Sequence, residues 1–291
     1  MNMLTENTEQ LLFKIAHCPF LSYKEKWVLA NEQIGNLAER TQSAVPLRRL
    51  TDKKKASFLR YESKLPIMQL NEAYHSKGIV YHSIFSPAYP EQLKHIFAPP
   101  LVLFLKGNES NLKLPMIGVV GARECSPYSK EVLQAILPTL IEEKVGIVSG
   151  LAKGVDGLAH QNTISLGGRT IGVVGTGLDY YYPSENKELQ MRMERTQLVL
   201  SEYPLGTPPR RHHFPERNRI ISGLSKGVVV IEAKSRSGSL ITARIALEEG
   251  RDVFAVPGAI TNPLSSGCHE LLKDGALLCT DGNSILNEWI Q

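Results

Sequence analysis

The stretch MIGVVGARECSPYSKEVLQAILPTLIEEKVGIVSGLAKGVDGLAHQNTISL, Met116 to Leu166, decides how the rest of the chain is read. An apolar run at 116–120 passes through a glycine-bearing loop into an amphipathic segment at 126–143. A second apolar run at 146–149 passes through another such loop into a second amphipathic segment at 156–166. Neither run alternates with polar residues, which is how strands covered by helices on both faces of a parallel sheet are written. The same succession continues outward. Strands are expected at 79–84, 101–105, 170–174, 198–202, 228–232 and 253–256, with helices at 218–224 and 239–249. The fold class is therefore α/β, a Rossmann-like, doubly wound and mostly parallel sheet.

Upstream the pattern changes. From residue 8 to about 70 the apolar positions recur at helix spacing, in Leu11, Leu12 and Ile15 and again in Trp27, Val28, Ile34 and Leu37. No strand is expected there, so the chain divides into a small all-helical region, 1–72, and the Rossmann-like domain, 73–291.

The chain has 291 residues, an apolar fraction of 42% and a net charge of +4, the make-up of a globular domain with a smaller appendage. Charge is unevenly placed. Residues 39–64 hold eight Lys or Arg against three acids, and 201–244 again eight against three, whereas 245–291 hold two against seven. For 39–64 a solvated helix surface is preferred over a nucleic-acid face. The basic edge at 201–244 followed by an acidic stretch fits a polyanion on one face and a different partner on another. Cys18, Cys125, Cys268 and Cys279 form no CxxC pair and read as reduced thiols. The polar, acidic start lacks the features of a signal peptide, and no apolar stretch reaches the length of a membrane span. A cytoplasmic protein is expected.

In an open parallel sheet the ligand site lies beyond the carboxyl ends of the strands, where loops run into helix N-termini. Four loops take that position. The first holds Gly121 and Arg123, with Ser126 as expected cap and Pro127 in the first helical turn. The second sets Lys153 between Gly150 and Gly154, with Asp156 as expected cap. The third places Tyr180, Tyr181 and Tyr182 beside Lys187, a combination suited to stacking bases while neutralising a backbone, although two of the tyrosines packing in the core stands as an equal alternative. The fourth, Arg210-Arg-His-His-Phe214-Pro-Glu-Arg217-Asn218-Arg219, has a companion at 234–244. His212 and His213 lack carboxylates at ligand spacing, so no metal is expected. Asp156 and His160 read as a cap and a satisfied histidine, not as an acid–base pair. No nucleophile–base arrangement, HExxH or phosphate-binding GxxxxGK[ST] loop is present, and neither a cofactor nor catalysis is expected.

The motifs GxRxxSxY at 121–128, VSGLAKGVDGLAH at 148–160, TIGVVGTGLDYYYP at 170–183, SEYPLG at 201–206, the long run from Phe214 to Gly258 and GCHELLKDGA at 267–276 together resemble the DprA/Smf family. The helical start resembles the SAM or helix-hairpin-helix-like domain of that family. The winged-helix domain of many relatives is not expected after Gln291. The resemblance implies an extended Rossmann fold, a homodimer, preference for single-stranded DNA, its protection, and loading of RecA during natural transformation. It puts the DNA site on Arg123, Lys153, Arg217, Asn218, Arg219, Arg236, Ser237, Gly238 and Ser239, with Tyr182 and Lys187 as neighbours. It puts the dimer contact on His269, Leu271, Leu272 and Leu278. A second class, a nucleotide-binding phosphoribohydrolase-like enzyme, needs PGGxGTxxE where this chain has SRSGSLITAR, with Arg244 in place of the acid.

Overall fold

The computed structural model describes residues 3–35, 37 and 49–289. Helices α1 (Met3–His17), α2 (Tyr23–Ile34), α3 (Asp52–Glu62) and α4 (Ile67–Ser76) come first. A hairpin follows, made of β1 (Val80–Ser83), the single turn α5 (Glu91–Lys94) and β2 (Val102–Gly107). The alternating part runs β3 (Met116–Val120), α6 (Pro127–Glu142), β4 (Gly146–Ser149), α7 (Val155–Ser165), β5 (Thr170–Val174), α8 (Lys187–Thr196) and β6 (Leu198–Ser201). It continues through α9 (His213–Leu224), β7 (Gly227–Val230), α10 (Gly238–Glu248), β8 (Asp252–Ala255), α11 (Ser266–Lys273), β9 (Leu277–Leu278) and α12 (Asn283–Trp289).

The nine strands form one sheet in the order β1-β2-β6-β5-β4-β3-β7-β8-β9. The pairings from β6 through β5, β4, β3, β7 and β8 to β9 are parallel, while β1–β2 and β2–β6 at one edge are antiparallel. Alternation of side chains divides the core in two. Ile117, Val119 and Val229 face the cluster of α6, α7 and α12, while Val120, Val228 and Val230 face that of α9 and α10. This is why the strands read as unbroken apolar runs: each is buried on both sides. The chain order leaves β3 between β4 and β7, so the winding direction reverses there. Ligand crevices of doubly wound sheets open at such a reversal.

Helices α1 to α4 share a continuous core with the hairpin edge of the sheet. The Tyr74 ring stacks on Phe104 at 5.0 Å, and the Trp27 indole N–H donates to the Pro99 carbonyl. His17 donates from Nδ1 to the Phe13 carbonyl and accepts the Tyr74 hydroxyl at Nε2, 2.8 Å each, while Leu205 donates its N–H to the same hydroxyl. Burial lowers the His17 pKa to about 4, so it is held neutral. Of the basic stretch expected at 39–64, Arg40 and Arg48 lie outside the described residues. Lys54 and Lys55 pair with Glu25 and Glu32 of α2, which takes up part of its charge internally.

Expected and observed strands agree to within two residues. The two-residue β9 and helices α5, α8, α11 and α12 are not among the expected elements, and α9 begins at His213 and not at 218, because Pro215 is tolerated in a first helical turn.

Candidate nucleic-acid interface

Beyond the carboxyl ends of β3 and β7 the loops diverge and open a cleft of about 470 Å³. One wall is the loop carrying Arg123, another the first turns of α9 with Phe214 and Asn218, and a third the start of α10 with Ser237 to Ser239. Two buried carboxylates hold these walls. Glu232, just past β7, is 1% exposed; it accepts the Ser126 N–H, the Ser126 hydroxyl and the Ser129 hydroxyl, each at 2.7 Å. The expected capping by Ser126 is thus corrected: its hydroxyl is spent on Glu232, which caps α6 from the neighbouring strand. Asp156 likewise does not cap α7, whose N-cap is Gly154. Its carboxylate accepts the Gly150 and Ala152 amides at 3.2 and 3.4 Å, upstream of the helix. Burial raises its pKa, opposed by the Arg217 charge and the two amides.

Gly154 is required by its geometry. It has φ +74°, and a Cβ there would overlap the Ala122 and Arg123 carbonyls, so the β3 and β4 loops can touch only through it. At Gly150 a Cβ would overlap the Arg217 guanidinium, which lies in the space the missing side chain leaves.

The expected site residues separate into groups. Arg123 is exposed, has no carboxylate partner among the described residues, and lies 5.8 Å from the Phe214 ring centroid. Tyr182, 47% exposed, has its ring 5.4 Å from that of Phe214. Tyr182 and Arg123 are thus gathered around Phe214, which lines the cleft, as a cluster of two aromatic rings and a cation. Ser237, Gly238 and Ser239 open α10, where free amides and the helix dipole favour an anion; the Ser237 and Ser239 hydroxyls are 2.8 Å apart.

Arg217 and Asn218 line the cleft but are buried. Arg217 donates to the Gly150 and Val173 carbonyls and, from Nε, to Asn218 Oδ1 at 3.2 Å, tying the loop after β4 and the end of β5 to α9. Burial lowers its pKa to about 10, which leaves it protonated at neutral pH. Asn218 reaches the Gly238 carbonyl at 3.4 Å.

Arg219 is placed apart from the cleft. It is 4% exposed, paired through Nη2 with both Glu202 oxygens, and packed 4.8 Å from the Tyr23 ring of α2. Positions two apart on a helix point to nearly opposite sides, and the expected helix start at 218 had concealed that. Lys153 is exposed and paired with Glu185, Lys187 lies 5.7 Å from the Tyr181 ring, and Arg236 is exposed at φ +62° just outside the cleft. None of Tyr180, Tyr181 and Tyr182 is in the core. His160 is buried with Nδ1 on Thr170 Oγ1 at 2.7 Å, and burial lowers its pKa to about 3. Phe214, Lys234 and Arg211 also line the cleft and were not among the expected residues. Phe214, the aromatic side chain within the basic loop, carried a signal that went unused.

At the far edge of the sheet, Leu271 is 9% exposed and belongs to the core, and Leu272 is half-buried against it. Leu278 is 55% exposed on β9, whose outer side pairs with nothing among the described residues, and His269 donates from Nε2 to the Gly258 carbonyl at 3.1 Å.

The family model described as DNA recombination-mediator protein A matches residues 81–290. The chain belongs to the DprA/Smf family. It is 52% identical over 207 residues to DNA processing protein DprA of Streptococcus pneumoniae, covering 71% of this chain and 73% of that protein. Against DprA of Bacillus subtilis it is 45% identical over 226 residues, 77% and 75% of the two chains. Among solved structures, DprA from Streptococcus pneumoniae superposes with a TM-score of 0.79 at 42% identity, covering 92% of this chain and 98% of that one. A DprA structure from Helicobacter pylori, described as giving insights into its unique single-stranded DNA binding mode, superposes at 0.65 with 29% identity over 72% and 95% of the two chains. The 92% coverage carries the likeness past the segment matched by the family model and into the helical start. A DNA-processing, recombination-related role follows from membership. No described helix is long and apolar enough to cross a membrane.

Proposed function

We propose that this protein binds single-stranded DNA in the cleft between β3 and β7, protects it, and as a homodimer loads RecA onto it in natural transformation. The observation that carries the reading is the cluster of Tyr182, Phe214 and Arg123, with Phe214 and Arg123 lining the same cleft as the α10 N-terminus: faces for bases, and a cation with amides for phosphates. The DNA site is assigned to Arg123 and Tyr182 around Phe214, to Ser237, Gly238 and Ser239 at the helix start, and to Lys153, Lys187 and Arg236 as flanking cations. Arg217 and Asn218 shape the wall. The single-stranded DNA binding described for the Helicobacter pylori relative supports the same reading. The role is that of a binding protein and not of a catalyst, since Asp156, the buried carboxylate at the wall, is already occupied by two amides and faces Arg217.

Fluorescence anisotropy with single- and double-stranded oligonucleotides over a salt series tests the first step. With about four phosphate contacts, log K against log salt falls with a slope of roughly −3. Salt-independent affinity, or preference for the duplex, would sink the reading. RecA loading is tested by RecA ATPase on strands coated with single-strand binding protein, with and without this chain. A nucleoside monophosphate control detects release of free base, which would mark an enzyme instead.

A further inference from the structure

A second crevice, of about 570 Å³, lies between the helical region and the segment 203–213. On the helical side it is lined by Phe20, Tyr61 and Lys26, and on the sheet side by Pro208, Arg210 and His212. Phe20 sits in the loop between α1 and α2, is 42% exposed and meets the Tyr61 ring edge-on at 5.9 Å. Large aromatic side chains are normally buried, so the exposed Phe20 at the mouth of a crevice marks a surface suited to a flat partner, while Tyr61 beside it is half-buried, its hydroxyl donating to the His17 carbonyl at 2.6 Å. Arg210 is exposed and has no acidic partner among the described residues. Glu25 also lines the crevice, but its carboxylate is engaged by Lys54 and by Ser22.

Position links this crevice to the cleft. Arg210 lines the crevice and the next residue, Arg211, lines the cleft at the β3–β7 reversal. The turn that carries them is pinned from inside. His213 donates its N–H to the Arg210 carbonyl at 3.0 Å, its ring stacks on Tyr203 at 4.0 Å, and its Nδ1 donates to the Gly175 carbonyl at 3.0 Å. The backbone that bears Arg210 and Arg211 is thus fixed where the crevice and the cleft adjoin.

We propose that the crevice is a second subsite for the same single strand, in which the exposed Phe20 ring stacks a base and Arg210 neutralises the backbone as it leaves the cleft over Arg211. This rests on the reading that the cleft binds single-stranded DNA. It extends the DNA path onto the helical region, and makes strand length, not sequence, the quantity the helical region senses, because stacking and phosphate contacts are indifferent to base identity.

The test uses the full chain at one salt concentration, with oligothymidylates of about 6 and about 20 nucleotides, a span that brackets single-subsite and multi-subsite occupancy. Phe20→Ala and Arg210→Ala should each weaken the long strand about tenfold and leave the short strand unchanged. Arg123→Ala should weaken both lengths. A strand with 5-bromodeoxyuridine should photocrosslink to the peptide holding Phe20 or to that holding Tyr61, and only when long. Unchanged long-strand affinity in both crevice variants, with Arg123→Ala still damaging, overturns this proposal and leaves the cleft standing; the crevice would then suit a protein partner. Arg123→Ala silent at both lengths overturns the reading of the cleft and this extension with it.

Discussion

The Glu232 carboxylate accepts the Ser126 backbone N–H at 2.7 Å, joining the end of β7 to the start of α6 across the line where the sheet reverses its winding. The loop bearing Arg123 therefore ends on a neighbour's buried charge and not on its own cap. Replacing Glu232 by Ala leaves that amide and two serine hydroxyls without their acceptor. A loss of about 3 kcal/mol is expected, a fall in Tm of roughly 5–10 °C. Thermal denaturation with DNA anisotropy on the same sample checks it: affinity should drop at temperatures where the variant is still folded.

Arg123 and Lys54 are both surface cations, yet only Arg123 faces the cleft, whereas Lys54 pairs with Glu25. Arg123→Ala should weaken single-stranded DNA about ten- to a hundredfold, as a charge-assisted contact is worth about 1.5–3 kcal/mol, and Lys54→Ala should change it by less than about threefold. Equal losses in titrations of the two variants would move the site to the helical region.

Arg219 belongs to the interior. Removing it leaves the half-buried Glu202 without its partner and empties a buried site, so Arg219→Ala should destabilise by about 3 kcal/mol. Replacing Arg219 and Glu202 together by leucine should recover most of that in urea titrations and keep cleft affinity near the parent's. A stable double variant that no longer binds DNA would place Arg219 in the site after all.

Three histidines make stability depend on acid. Burial lowers the pKa of His17 and of His213 to about 4 and that of His160 to about 3, from 6.5. The unfolded chain therefore binds more protons than the folded one below pH 6.5. The stability is fully present above that pH and is lost as pH falls toward 4 and 3. Each histidine contributes a slope of about 1.4 kcal/mol per pH unit within its window. Urea denaturation between pH 7 and pH 4.5 should show this decline, and His17→Gln should flatten it.

For the proposed homodimer the residue to test is Leu278, exposed at the open edge of the sheet, whereas Leu271 is part of the core. Sedimentation should show a dimer at micromolar concentration and a folded monomer for Leu278→Arg. The monomer should lose affinity for long strands more than for short ones, since the linked second site is gone. Leu271→Arg should instead unfold. A dimeric Leu278→Arg variant would put the interface elsewhere.

The class of fold was legible in the chain itself. Runs such as 116–120 and 170–174 carry no polar alternation, and only strands covered on both faces tolerate that, so parallel pairing and double winding followed from composition and order. The motifs that carry the family resemblance were legible too, because each spans one strand end and its loop. The two-residue β9 was not, since two residues have no period, nor was α11, whose burial depends on the sheet edge it covers. The fate of individual cations was beyond reach for a similar reason. Arg217 and Arg219 are the same residue type two positions apart, yet one ties loops together under the cleft wall and the other is sealed against Glu202 and Tyr23. Glu232 reads in the chain as one acid after a strand, and only packing brings Ser126, 106 residues away, to its carboxylate. Local sequence determined which segments become strands and helices, because backbone preference and apolar period act over a few residues. Which charges meet water, and which meet each other, was decided by tertiary structure, because burial is set by neighbours distant in the chain.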